Sequence, residues 1–155
     1  MIETALIGSL LGKEVICQTI SNTTKSAYNG ISGLMTNNDF IFKDVLEKLD
    51  ICEKVGLINS LMKQLEQKEI GDTINLSLHG LHNIINKINK EIEIINKQIL
   101  EHKRKWFSSI RNAEYLHTVN KLVIHKRIMD DRLDILLKLL NMDKNLSNID
   151  LVTPR

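Results

Sequence analysis

Glu114 and His117 are the residues of this chain with the most chemical promise. Their Glu-x-x-His spacing puts a carboxylate and an imidazole on one face of a helix, as metal sites in helical bundles require. A di-metal site of that kind needs two such motifs and two further carboxylates, and the chain holds no second Glu-x-x-His. His79 and His82 also share a face, but no acidic or cysteine partner is fixed beside them. Neither a metal nor any other cofactor is therefore expected. Cys17 and Cys52 fall on apolar positions of separate segments and lack the basic or glycine-rich surroundings that lower a thiol pKa. They read as buried thiols rather than nucleophiles or a disulfide, which points to a reducing compartment. Gly-x-Ser-x-Gly, a phosphate-binding loop and a dinucleotide fingerprint are all missing. Asp130 and Asp131 are adjacent and so diverge on a helix. The expectation is a protein that is not an enzyme and takes no small-molecule substrate.

Three features suit binding better than catalysis. A stripe of small residues, Ala5, Gly12, Thr19, Ser26 and Gly33, recurs every seven residues, and Gly30 widens it. Such a stripe lets another backbone approach more closely than the usual ~8–10 Å between helices. The other backbone belongs either to the same bundle or to a second subunit. The cost is helix propensity, roughly 1 kcal/mol for each glycine. A second stripe, Lys90, Lys97, Arg104 and Arg111, also repeats every seven residues and is thickened by Lys103 and Lys105. It reads as a solvated outer face, or as a ridge for an anionic partner such as nucleic-acid backbone or an acidic protein. Glu91, Glu93 and Glu101 dilute its field. The third feature is His102 on an apolar seam. It is either a core imidazole with a hydrogen-bond partner or a pH-sensitive contact residue.

These residues are carried by helices. Ile74, Leu78, Leu81, Ile85, Ile88, Ile92, Ile95, Ile99, His102 and Trp106 step by four and three, which predicts one long helix with a single buried edge. Before it, Leu6, Leu10, Cys17, Ile20, Ala27, Ile31 and Leu34 form the seam of a first helix, 2–34, interrupted by Lys13 and Thr24. A second block, 40–68, is expected to bend at Asp50, where Asp50-Ile-Cys-Glu53 has capping-box spacing. Gly71 is read as a C-terminal cap and Asp72 as the next N-cap. A turn or kink is placed between Ser108 and Asn112. A fourth block, 113–142, has the seam Leu116, Val119, Leu122, Met129, Leu133, Leu136 and Leu140. Four amphipathic segments with short turns predict an all-α, antiparallel four-helix bundle spanning 1–142, with a polar tail at 143–155. An elongated hairpin or coiled coil of the last two blocks is the alternative.

Composition bounds the rest. Twenty-one basic against 19 acidic residues leave a net charge of +2, too little for a general nucleic-acid binder. Only 4% of residues are aromatic and one is proline, so aliphatic packing carries the core. The apolar start, residues 1–12, has no basic region before it, carries Glu3, and falls short of the ~20 residues of a membrane span. The chain reads as soluble and intracellular.

His102-Lys-Arg-Lys-Trp-Phe-Ser-Ser-Ile-Arg111, Ile128-Met-Asp-Asp-Arg-Leu133 and Leu49-Asp-Ile-Cys-Glu-Lys-Val55 resemble segments of small uncharacterised helical proteins of large nucleocytoplasmic DNA viruses. That resemblance implies a virion-associated or host-interacting helical protein, and no catalytic residue carries over. Sequence and resemblance together favour a non-enzymatic interaction or assembly protein, a structural component of a virus particle for example. Its contacts, with a protein partner or with itself, would run through the small-residue face or the long third helix. The alternative is a regulator that grips an anionic partner along Lys90–Arg111.

Overall fold

The computed structural model of the chain describes residues 12–36, 42–102 and 108–143, and the side chains of all of these except 102 and 108–114. Five helices follow in order: α1 (Lys13–Thr36), α2 (Lys43–Leu49), α3 (Ile51–Glu66), α4 (Asp72–His102) and α5 (Ser108–Met142). No strand occurs among the described residues. Helices α2 and α3 are one arm broken at Asp50, so the architecture is a four-helix bundle with long helices.

The break has a local cause. Asp50 sits in the left-handed region, with φ of 54° and ψ of 36°, and its N–H donates to the Glu47 carbonyl at 3.2 Å. That is the geometry of a residue closing a helix, and aspartate tolerates it better than most side chains. The bend is as expected, but the capping box is not formed, because the Asp50 side chain makes no capping hydrogen bond to α3. An N-cap needs extended backbone, whereas Asp50 is already used to end α2. Helix α3 ends at Glu66, earlier than Gly71 would have placed it. Gly71 instead precedes α4, accepting from the Asn75 N–H, and Asp72 lies within the first turn. Helix α5 begins at Ser108, so the chain is helical through 108–112, where the sequence predicts a turn or kink. Serines suit a helix start as well as a break.

Helix α1 packs on α3 and on α4, and α4 packs in turn on α5. Consecutive arms are antiparallel, but α1 and α4 run side by side in the same direction. The Lys13 ammonium reaches the Lys68 carbonyl just before α4 starts, and Gly30 lies level with Ile92 and Asn96 far along it. Asn96 Nδ2 donates to the Gly30 carbonyl at 3.4 Å and to the Ile92 carbonyl at 3.1 Å. Ser21 Oγ donates to Asn59 Oδ1 at 2.9 Å, tying α1 to α3. Lys54 of α3 and Lys126 of α5 meet on Asp130 of α5, and the Arg132 guanidinium donates to the Gly80 carbonyl of α4 at 2.6 Å.

The core follows the seams closely. Cys17, Ile20, Ala27, Ile31 and Leu34 of α1 are buried, as are Ile51, Val55, Ile58, Met62 and Leu65 of α3. The two interruptions of the first seam are both satisfied: Thr24 donates to the Ser21 carbonyl within α1, and the Lys13 ammonium donates to the Lys68 carbonyl just beyond α3. All eight aliphatic residues of the α4 seam are buried, while His102 and Trp106 lie outside the described side chains. The buried edge of α4 is wider than a single seam, because Ile84 and Glu91 are also buried. A helix gripped by both α1 and α5 must bury two flanks. On α5 the seam is entered by Tyr115 rather than Leu116, which is exposed. Tyr115 is seven residues before Leu122 and so shares its face; Leu116 is turned by one residue.

Candidate functional site

The surfaces singled out by sequence separate once the helices are in place. A strict seven-residue repeat drifts by ~20° per repeat around a straight helix, so the small-residue stripe of α1 cannot face one neighbour throughout. Among the described glycines of the stripe Gly30 alone is a close-approach point: a Cβ built there would meet Ile92 Cγ2 of α4 at 2.5 Å. Gly12 and Gly33 have nothing within 4 Å of such a Cβ, and Ser26 is exposed. Thr19 is half-buried and donates back to the Val15 carbonyl at 2.7 Å. The stripe is thus split between an internal contact at Gly30 and an open outer face. Ala5 lies outside the described residues.

Of the basic ridge, the side chains of Lys90 and Lys97 fall among those described. Both are exposed on α4, and Lys97 faces Glu101 at 4.0 Å, which answers part of its charge. Arg104 lies outside the described residues, and so does the side chain of Arg111. Lys90 and Lys97 therefore face solvent, and the rest of the ridge lies outside the described side chains.

No three His, Cys, Asp or Glu side chains converge among the described residues. His117 is exposed, and the side chain of Glu114 lies outside the described set. His82 is half-buried, and burial, aided by the charge of His79, pushes its pKa down. Cys17 is fully buried in the core, where burial pushes its thiol up to about 11, Glu66 adding to the rise and Lys13 opposing it. Cys52 is partly buried, and its thiol is raised by burial and then by Asp50. Both thiols stay protonated at neutral pH and are poor nucleophiles. Cys52 borders a cleft of about 440 Å³ between α1 and α3, rimmed by Lys25, Tyr28, Asn29 and Asn59 over a floor of Val55. This cleft has the volume of a small-ligand pocket but no activated nucleophile in it.

A surface that the sequence reading missed lies on α5. Besides its core seam, α5 carries Ile124, Ile128, Ile135 and Met142 at steps of four, seven and seven, on the opposite side of the helix. Ile124 is 56% exposed, Ile135 53% and Met142 79%, with Ile128 and Leu139 half-buried beside them. Across the groove to α4, Leu76 is exposed next to Ile135, and Gly80 and Arg132 form the floor. The signal was present in the spacing. It was hidden because two apolar stripes on one helix cannot be ranked without knowing which side faces the core. Apolar residues on both sides are normal for a helix enclosed by neighbours, and here one side has none among the described residues.

Among the described residues no helix is long and apolar enough to cross a membrane. No family model matches the chain, and no solved structure matches it significantly. Over 128 residues, 82% of its length, the chain is 31% identical to an uncharacterised protein of Acanthamoeba polyphaga mimivirus, and it spans 55% of that relative's length. The chain therefore resembles an uncharacterised protein of a large nucleocytoplasmic DNA virus.

Proposed function

We propose that this chain is a non-enzymatic assembly protein that works by helix–helix contact in a viral setting, as a virion component or virion-associated factor. The observation that carries the reading is the outer face of α5. Scattered apolar residues are ordinary on a protein surface, but a continuous strip along one helix is the mark of an interface. Ile124, Ile135, Met142 and Leu76 form such a strip, about 27 Å long from Ile124 to Met142 at 1.5 Å per residue. The open part of the α1 small-residue face is a second place where a helix can lie close. The raised thiols and the lack of any convergent set of ligands among the described residues support a binding role over catalysis. The similarity to a mimivirus protein supports the viral setting.

The test is a photo-cross-linking amino acid at Ile135 in the full chain, produced in the cells that naturally make it, with Lys25 as the control position. Discrete protein adducts from position 135 and none from Lys25 are expected. Equal or absent adducts at both positions would remove α5 as an interface.

A further inference from the structure

The outer strip of α5 is self-complementary. Ile124 and Ile135 are eleven residues apart, three helical turns, so they point the same way about 16 Å apart. Ile128 lies between them. Along one edge of this strip run Arg127 and Asp131, both exposed and four residues apart. When two identical helices pair antiparallel about a two-fold axis, like edges meet, and position i faces position j with i plus j constant. Let the axis pass level with Met129 and Asp130. Ile124 of each chain then meets Ile135 of the other, and Asp131 of the other chain lies one residue, about 1.5 Å along the helix, from level with Arg127, within reach of its long side chain. One register thus aligns the two isoleucine layers and, with an offset of a single residue, brings both charge pairs within reach. Asp134, on the same edge, adds to the acidic side of each pair.

We propose that this face of α5 binds a second copy of the same chain, α5 against α5, antiparallel, in the register that pairs Ile124 with Ile135 and brings Arg127 within reach of Asp131 across the two-fold axis. The inference rests on the assembly reading above and names its partner. The exposed parts of the strip, with Leu76 of α4, amount to on the order of 450 Å² of apolar surface per chain, and the charged edge adds to it. Two copies would bury on the order of 1,000 Å², at the floor for a specific interface and suited to a modest one. The symmetry closes, so the product is a dimer and not a filament. A flanking charge pair sets register more than affinity, as expected of a modest interface.

The experiment is light scattering and sedimentation on the full chain over a concentration series. It uses wild type, Arg127→Asp, Asp131→Arg, their equimolar mixture, and the Arg127→Asp/Asp131→Arg double variant. Wild type should approach twice 17.8 kDa. Each single variant puts two like-charge contacts into its homodimer and should weaken association about tenfold or more. The mixture restores both opposite-charge contacts, as does the double variant, and both should recover dimer. That recovery also shows that the variants are folded. A wild-type mass of 17.8 kDa at every concentration overturns the proposal. So does a dimer whose single variants weaken without rescue on mixing, or one indifferent to both charges. In those cases, discrete adducts of another mass at position 135 would leave the assembly reading standing with a different partner. Silence at position 135 would end both.

Discussion

Replacing Gly30 and Gly33 by alanine should have effects of opposite sign, although the two lie three residues apart on one helix. In an exposed helix interior the change from glycine to alanine stabilises by roughly 1 kcal/mol, through backbone entropy alone. Gly33 meets that condition, since nothing lies within 4 Å of the added carbon. At Gly30 the same carbon would stand 2.5 Å from Ile92 Cγ2, more than an ångström inside the ordinary ~3.5–4.0 Å contact. The methyl cannot swing away, because it is bonded directly to Cβ and a helical isoleucine has one strongly preferred χ1 rotamer. Helices α1 and α4 must therefore separate, stretching the Asn96 hydrogen bond to the Gly30 carbonyl. Overpacking of this kind costs about 1–3 kcal/mol. With a methyl so close to the backbone the upper half applies, and after the propensity gain about 1–2 kcal/mol of net destabilisation is left. Gly30→Ala and Gly33→Ala should then differ by about 2–3 kcal/mol, or roughly 4–12 °C in Tm for a chain of this size. Urea unfolding followed by helical circular dichroism measures both. Ile92→Ala completes a cycle: in that background Gly30→Ala should turn neutral or stabilising, because the new methyl enters the vacated space. A Gly30→Ala protein as stable as Gly33→Ala would refute the close approach of α1 and α4.

Three further outcomes follow from the local chemistry. Asp50→Gly should stabilise by about 0.5–1 kcal/mol, the left-handed strain of ~1–2 kcal/mol relieved less the added freedom of the unfolded chain. It should also return the Glu53 carboxyl, now raised by its hydrogen bond with Asp50 and then by that group's charge, towards its ordinary value; an unmoved Glu53 titration by NMR would contradict the contact. For His82 the folded pKa lies below the unfolded value of 6.5, so the unfolded chain binds the proton first. Its contribution to stability is full above that pH and lost as the pH falls below it, and His82→Gln should flatten the acid side of the urea-midpoint profile. Cys17, with its thiol pushed up to about 11 and its side chain fully buried, should resist disulfide reagents until the protein unfolds, while Cys52 reacts first. Equal labelling rates in native protein would be inconsistent with that placement.

Much of this architecture was legible in the order of residues. Burial of eight aliphatic residues at steps of four and three on α4 needs only one helix and one wet side, and both follow from periodicity. The bend at Asp50 was visible because aspartate punctuates helices, although whether it closes α2 or caps α3 depended on a backbone angle that spacing does not encode. Periodicity is a property of a single helix, whereas choosing between faces requires its neighbours. Gly30 and Gly33 look alike in the sequence; the position of α4 made one a contact and left the other open. Ile84 and Glu91 became buried because α4 has partners on two sides. Tyr115 displaced Leu116 from the seam for a similar reason, since the phase of α5 is set by what it packs against. The same holds for the two apolar stripes of α5. Each has helical spacing, and the one turned towards α4 became core, leaving Ile124, Ile135 and Met142 on the outside. The sequence alone determined that these segments are helices and that their aliphatic seams pack. Tertiary structure decided which second faces stayed open, because burial is a relation between helices and each stripe is a property of one.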